Sequence, residues 1–237
     1  MSQFSHRVIG DVHIAVIDRL GGHSSGEFDS MNLASYVGDD PECVSLNRAI
    51  AAGYVGAESV AVMNAEHSNV VHVVSDASEC AKGDGLVTRE TGLGLVALSA
   101  DCVTAALVDV DSGLFGVLHA GWKGVRDNVA RATAETMVTQ GASLKGIVAV
   151  IGPSICPKCY QVPSERVEQF IDTCPEAIYD DRQLDLQAGV WAQFDELGIA
   201  TQVMDACTFE EQNFFSYRRA NGQPTGRGGL IVAKVGA

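Results

Sequence analysis

Short apolar runs separated by polar, glycine-rich breaks fill the chain, and their lengths predict more strands than helices. Residues 12–17 form an apolar run interrupted by His13, which predicts an opening strand with that histidine half-buried. Residues 57–63 and 70–74 predict two more strands, with His72 inside the second and His67 in the turn between them. Gly83, Asp84 and Gly85 read as a turn entering a strand at Leu86 and Val87. Apolar runs at 95–98, 103–108 and 114–118 follow, the last two joined by an Asp111-Ser112-Gly113 turn that predicts paired neighbours. Such pairing lets Cys102 and His119 approach one another although they are distant in sequence.

Helical spacing is confined to a few segments. A helix is predicted from Pro41, capped by Asp39 or Asp40 and ended by Gly53. After the glycine-rich AGWKG passage, Val125, Val129, Ala132, Thr133, Thr136 and Met137 recur every three to four residues and predict a helix ended at Gly141. Because that helix follows His119 closely, its first amides are expected to favour an anionic ligand there. Helices are also predicted over 163–170 and 184–197, and strands over 147–151, 201–204 and 231–235, the last closing the sheet. Several strands lack an intervening helix, so a mixed sheet or pair of sheets fits better than a regular doubly wound order. No repeat or low-complexity linker divides the chain, and residues 1–237 read as one catalytic domain.

Composition narrows the function classes. With 30 acidic against 16 basic residues the net charge is -14, which argues against a nucleic-acid partner. No apolar run of about 18 residues is present and the N-terminus lacks a signal-peptide pattern, so a cytoplasmic protein without a membrane partner is expected. Seven cysteines, an odd number, do not read as a disulfide framework. Cys156 and Cys159 form a CxxC pair, but Pro157 suggests a turn between elements and the second CxxC of a zinc knuckle is missing.

The best constellation of chemistry-bearing residues is His67, Cys102 and His119. Two imidazoles and one thiolate make a catalytic zinc set with a fourth position open, and Asp101 is placed to orient a ligand or move a proton. A metal-free cysteine hydrolase would use Cys102 as nucleophile and His119 as base. A structural zinc site would need a fourth ligand, for which Cys80 or His72 is available. Arg19 and the glycine-rich loop around Gly22 are candidates to line a ligand pocket. Asn47 and Arg48 on the first helix, and the Arg218-Arg219 pair, are candidate contacts to substrate, phosphate or carboxylate.

Five stretches, GGHSSGEFDSMNLASYVGDDPECVSLNR, ALSADCVTAALVD, LHAGWKGV, IGPSICPKCYQV and CTFEEQNFFSYRR, resemble the family described as multicopper polyphenol oxidase laccase. That family is also described as purine nucleoside phosphorylases and, in bacteria, as peptidoglycan editing factors. The resemblance implies a four-layer α/β/β/α sandwich with mixed sheets and a zinc site at His67, Cys102 and His119. It further implies a nucleoside and phosphate pocket using the loop that holds Gly22 and Asn32, together with Asn47, Arg48, Arg218 and Arg219. The implied activity is phosphorolysis of adenosine, inosine, guanosine and methylthioadenosine, with zinc-dependent deamination of adenosine. The rival it implies is an amidase that removes misincorporated L-serine from a UDP-muramoyl precursor.

The chain departs from the family pattern at Ala65, where glutamine is usual, and at Ser68, where glycine is usual. In the third motif Cys156 stands for glycine and Lys158 for cysteine. A multicopper oxidase needs many histidines in paired motifs. Six histidines without one HxH pair cannot build a trinuclear copper cluster, so negligible laccase activity is expected.

Overall fold

The computed structural model describes residues 6–78 and 82–236, so Cys80 lies outside the described residues. In chain order the strands are β1 (His6–Ile9), β2 (Val12–Ile17), β3 (Ser59–Val62), β4 (Val71–Val73), β5 (Gly85–Thr88), β6 (Leu93–Ser99), β7 (Val103–Asp109), β8 (Leu114–Ala120), β9 (Ile147–Ile151), β10 (Ile178–Asp180), β11 (Gln183–Leu184), β12 (Ala200–Val203) and β13 (Gly228–Lys234). The helices are α1 (Pro41–Val55), α2 (Trp122–Arg126), α3 (Val129–Thr139), α4 (Ser164–Glu168), α5 (Leu186–Glu196) and α6 (Tyr217–Ala220).

Two large sheets carry the fold, in the orders β1-β2-β13-β6-β3 and β12-β9-β7-β8-β5-β4. Both are mixed: β3 runs parallel to β6, and β4 and β12 run parallel to β5 and β9, while the remaining pairs are antiparallel. Strand alternation sorts the apolar side chains into three layers. On β6, Leu93, Leu95 and Ala97 point between the sheets, where they meet Ala106, Val108, Phe115 and Val117. The opposite face of β6, with Val96 and Leu98, packs on Ala51 and Val55 of α1. Beyond the second sheet, Val103, Ala105 and Leu107 of β7 pack with α3 and α5 through Ala134, Met137, Val190 and Phe194. The result is the α/β/β/α arrangement, and burial on both faces explains why the central strands read as continuous apolar runs.

Three elements differ from the sequence expectation. Helix α1 runs through Gly53 and stops at Gly56, whose φ of 68° supplies the left-handed residue that a helix end needs. A glycine inside a helix costs only about 1 kcal/mol, so Gly53 does not break it. The segment after His119 is two helices, because Asn128 adopts φ 61° and its side chain accepts from Arg131 N–H to begin α3 afresh. Strand β13 lies between β2 and β6 in the middle of its sheet, where its Leu230 and Val232 reach the inter-sheet core. Among the described residues no helix is long and apolar enough to cross a membrane.

Candidate metal centre and substrate cleft

The β7–β8 ladder pairs Val103 with Ala120 and Thr104 with His119, and Cys102 immediately precedes it. His67 arrives from the turn between β3 and β4 on a left-handed backbone, with φ 62°. One ligand-type atom from each of His67, Cys102 and His119 lies within 4.8 Å of the others. The two imidazoles meet edge to face, with ring centroids 5.0 Å apart. Gly121 leaves the space this requires, since a Cβ there would stand 2.5 Å from His67 Cδ2 and 3.2 Å from Cys102 Sγ. Gly121→Ala is therefore expected to push the His67 ring aside and weaken any metal binding at this cluster by about tenfold or more, measured by competition with a chelator.

Asp84 organises this centre, and it was legible in the sequence only as part of a turn. Its fully buried carboxylate accepts from His119 Nδ1 at 2.8 Å. The same group accepts from the backbone N–H of Glu66, His67 and Ser68 and from Ser68 Oγ. Its carbonyl also takes the His119 N–H at 2.9 Å. One residue thus holds the His67 turn and fixes His119 as the Nδ1–H tautomer, leaving Nε2 to bind a metal. The flanking glycines are packed too tightly for side chains: a Cβ on Gly83 would lie 2.9 Å from Val70 O, and one on Gly85 would lie 2.8 Å from Val71 Cγ2. A carboxylate between two glycines, just ahead of the apolar pair Leu86 and Val87, is the signal that could have identified it, because a buried charge demands partners.

The charges follow from these contacts. Burial works against the Asp84 carboxylate, but the hydrogen bonds from His119 and Ser68 outweigh it and bring its pKa down to about 2. Burial likewise raises the Cys102 thiol, yet the charge of His119 and hydrogen bonds to both histidines bring it down to about 6. For His119, burial is overcome by the Cys102 thiolate and Asp84, which raise its pKa to about 10. A thiolate with two imidazoles is the donor set that suits zinc, and an added cation would replace the shared proton.

These residues sit in a cleft of about 560 Å³. Three arginines, Arg166, Arg218 and Arg227, line it together with the aromatic residues Tyr36, Trp122, Tyr160 and Tyr217. Arg166 stacks on Trp122 at 4.6 Å and Arg218 on Tyr160 at 5.1 Å. Arg166, Arg227 and the aromatic set were missed in the sequence because they come from short helices and loops far apart in the chain.

The predicted contacts divide. Arg218 lines the cleft, and Arg48 lines an adjoining cavity of about 410 Å³ that shares Tyr36, Asn64 and Leu98 with it. Asp101 also lines the cleft, but its carboxylate accepts from Thr208 Oγ1 and Arg218 N–H, both at 2.7 Å. The carboxylate on His119 is Asp84, and Asp101 instead seats the start of α6.

Arg219 is turned to the protein: its guanidinium donates to the carbonyls of Thr208, Phe209, Glu211 and Phe214. Arg19 donates to Asp29 O and stacks on Phe215. Gly22 permits a close backbone approach, where a Cβ would lie 2.3 Å from Ser30 O. Asn32 and Asn47 are fully buried and staple the loop, Asn47 donating to Ser24 Oγ and to the carbonyls of Ser30 and Asn32. Asn32 Oδ1 accepts from the N–H groups of Ala34 and Arg227. Loop polarity is therefore spent on satisfying backbone groups, which must be paired when buried.

Comparison with known proteins agrees with this architecture. The chain is 37% identical over 223 residues to purine nucleoside phosphorylase ORF3 of Streptomyces griseus, covering 90% of this chain and 91% of that protein. It is 38% identical over 155 residues to adenosine deaminase RL5 from an unknown prokaryotic organism, covering 60% of this chain and 59% of that one. The crystal structure of the Bacillus licheniformis hypothetical protein YfiH superposes with a TM-score of 0.86 at 27% identity, over 94% of this chain and 92% of that chain. The sequence pattern described as multi-copper polyphenol oxidoreductase laccase matches residues 13–234. The chain belongs to the multi-copper polyphenol oxidoreductase laccase family.

Proposed function

We propose that the protein is a zinc-dependent purine nucleoside phosphorylase acting on adenosine, inosine, guanosine and methylthioadenosine, with adenosine deaminase activity. The observation that carries this reading is the convergence of His67, Cys102 and His119 at a cleft lined by three arginines and four aromatic side chains. The names of the Streptomyces griseus and RL5 relatives support it. His67, Cys102 and His119 would hold the zinc, and when bound it would supply an acidified water for hydrolytic chemistry.

The chain's own residues account for binding and orientation. Aromatic faces from Tyr36, Trp122, Tyr160 and Tyr217 offer stacking surfaces for a purine. In phosphorolysis, phosphate attacks C1′ of the ribose as the bond to the purine breaks, and guanidinium groups hold the phosphate in line. Arg218 spends two contacts on Cys159 O and Gln161 O, leaving other guanidinium donors for an anion.

Arg218→Ala is expected to raise KM for phosphate about tenfold, the worth of one charge-assisted hydrogen bond of about 1.5 kcal/mol. Arg219→Ala is expected instead to lower stability by about 2 kcal/mol, because four carbonyls lose a charged donor. Steady-state kinetics and urea unfolding on both variants check this; a Arg219→Ala protein of normal stability with a raised phosphate KM would reverse the assignment.

A second reading is favoured by the depressed Cys102 thiol beside His119, a pair that also suits a metal-free cysteine hydrolase. One assay panel separates the readings. Zinc-loaded protein is offered adenosine, inosine, guanosine and methylthioadenosine with phosphate, adenosine for ammonia release, and a UDP-muramoyl precursor bearing L-serine. Phosphate-dependent base release is the expected result. Serine release without any nucleoside reaction would assign the protein as the editing amidase, and full activity of metal-free protein that stops on Cys102 alkylation would assign the cysteine hydrolase.

A further inference from the structure

We propose that Cys156, Cys159, Cys207 and Glu210 form a second, structural site for a thiophilic divalent cation of the zinc class, separate from His67, Cys102 and His119. One sulfur or carboxylate oxygen from each lies within 4.8 Å of all the others. Zinc–sulfur bonds of about 2.3 Å hold tetrahedral ligand atoms about 3.8 Å apart, so an inward shift of about 1 Å or less completes the set. The three cysteines are free thiols, and they come from two chain segments rather than one flexible loop.

The local backbone has the form such a site needs. Cys159 N–H and Tyr160 N–H both donate to Cys156 O, at 3.0 and 3.1 Å, folding the CPKC segment into a tight knuckle. Cys156 N–H donates to Cys207 Sγ at 3.3 Å, which ties the knuckle to the second segment. Cys207 is fixed by its bridge to Ser154, and Glu211 N–H donates to Cys207 O, closing the turn that brings Glu210 round. Cys159 Sγ already reaches Glu210 Oε1 at 3.6 Å. The knuckle lacks a second CxxC in sequence, and the missing half is supplied in space by Cys207 and Glu210.

The placement gives the site a role. The knuckle carbonyls of Cys159 and Gln161 receive the Arg218 guanidinium, and Thr208, next to Cys207, donates to Asp101. A cation joining the two segments would fix the wall of the cleft that carries Tyr160, Arg218 and Asp101. Binding exchanges thiol protons to solvent for metal–sulfur bonds and involves no oxidant or reductant. The inference does not depend on the identity of the substrate.

The test is metal stoichiometry with thiol protection on the full chain, reduced and handled without oxygen. Wild type titrated with zinc is expected to bind two equivalents, and Cys102→Ser to retain one. With cobalt in place of zinc, Cys102→Ser is expected to keep thiolate-to-metal charge-transfer absorption, which a Cys156→Ser, Cys159→Ser, Cys102→Ser protein loses. Should these variants misfold, mass-mapped alkylation of wild type decides: zinc is expected to slow modification of Cys156, Cys159 and Cys207 at least tenfold while Cys43 reacts unchanged. A zinc equivalent in wild type that Cys102→Ser loses with none remaining, equal alkylation of the three thiols with and without zinc, or a disulfide between any two of them in the purified reduced chain would overturn the proposal.

Discussion

Cys102→Ala is expected to abolish both phosphate-dependent base release and ammonia release while leaving the fold intact. Cys102 provides the only sulfur among the three clustered groups, and its thiol is already drawn down to about 6 by its two histidine neighbours. Loss of an outer partner of a metal ligand costs about 10- to 100-fold in affinity or activity, so loss of a ligand itself should exceed 100-fold. The side chain is small and lies at a strand end, so truncation removes little buried surface and thermal unfolding should shift by only a few degrees. Stability, zinc affinity and turnover measured on one preparation check this. A Cys102→Ala protein that keeps wild-type turnover would remove the centre from the chemistry altogether.

Asp84→Asn should have the second largest effect, and a different signature. An amide keeps the shape of the carboxylate but turns an NH2 group toward some of the donors that Asp84 now accepts from. The carboxylate is fully buried, so removing its charge leaves the His119 ring and the 66–68 amides with a poorer partner, at a cost of about 3 kcal/mol. Zinc affinity should fall about 10- to 100-fold because His119 is no longer held in the required tautomer.

The sign of the pH dependence follows from the depressed Asp84 pKa of about 2. A depressed carboxylate contributes stability that is fully present above its unfolded pKa of about 4 and is lost as pH falls toward 2. The stability gap between wild type and Asp84→Asn should therefore be flat from neutral pH down to about 4 and narrow below it. Denaturant unfolding across pH checks this; a gap that widens on acidification would contradict the ionised state assigned to Asp84.

The parts of the protein most legible in sequence are those whose pattern is local. Val12–Ile17, apolar apart from His13, and Ile147–Ile151 emerged with their observed bounds because such apolar runs mark strands buried on both faces. The Asp111-Ser112-Gly113 turn identified β7 and β8 as neighbours, and with it the approach of Cys102 to His119. What escaped depends on distant contacts. Strand β13 reads as an edge from its place in the chain, yet it lies centrally because β2 and β6 flank it.

Arg218 and Arg219 are adjacent and chemically identical, but one lines the cleft while the other is spent on four backbone carbonyls. Both lie on the four-residue helix α6, where successive side chains point about 100° apart. Asn32 and Asn47 have the composition of ligand contacts and the environment of a buried staple. Asp84 has turn-like neighbours and a fully buried carboxylate, and no periodicity distinguishes the two.

The most direct measurement is phosphate-dependent release of hypoxanthine from inosine by the same preparation before chelation, after chelation and after zinc is restored. The expected result is turnover that disappears with the metal and returns with zinc in wild type, and that zinc does not restore in Cys102→Ala. Turnover undiminished in the metal-free wild-type protein would contradict a zinc centre at His67, Cys102 and His119.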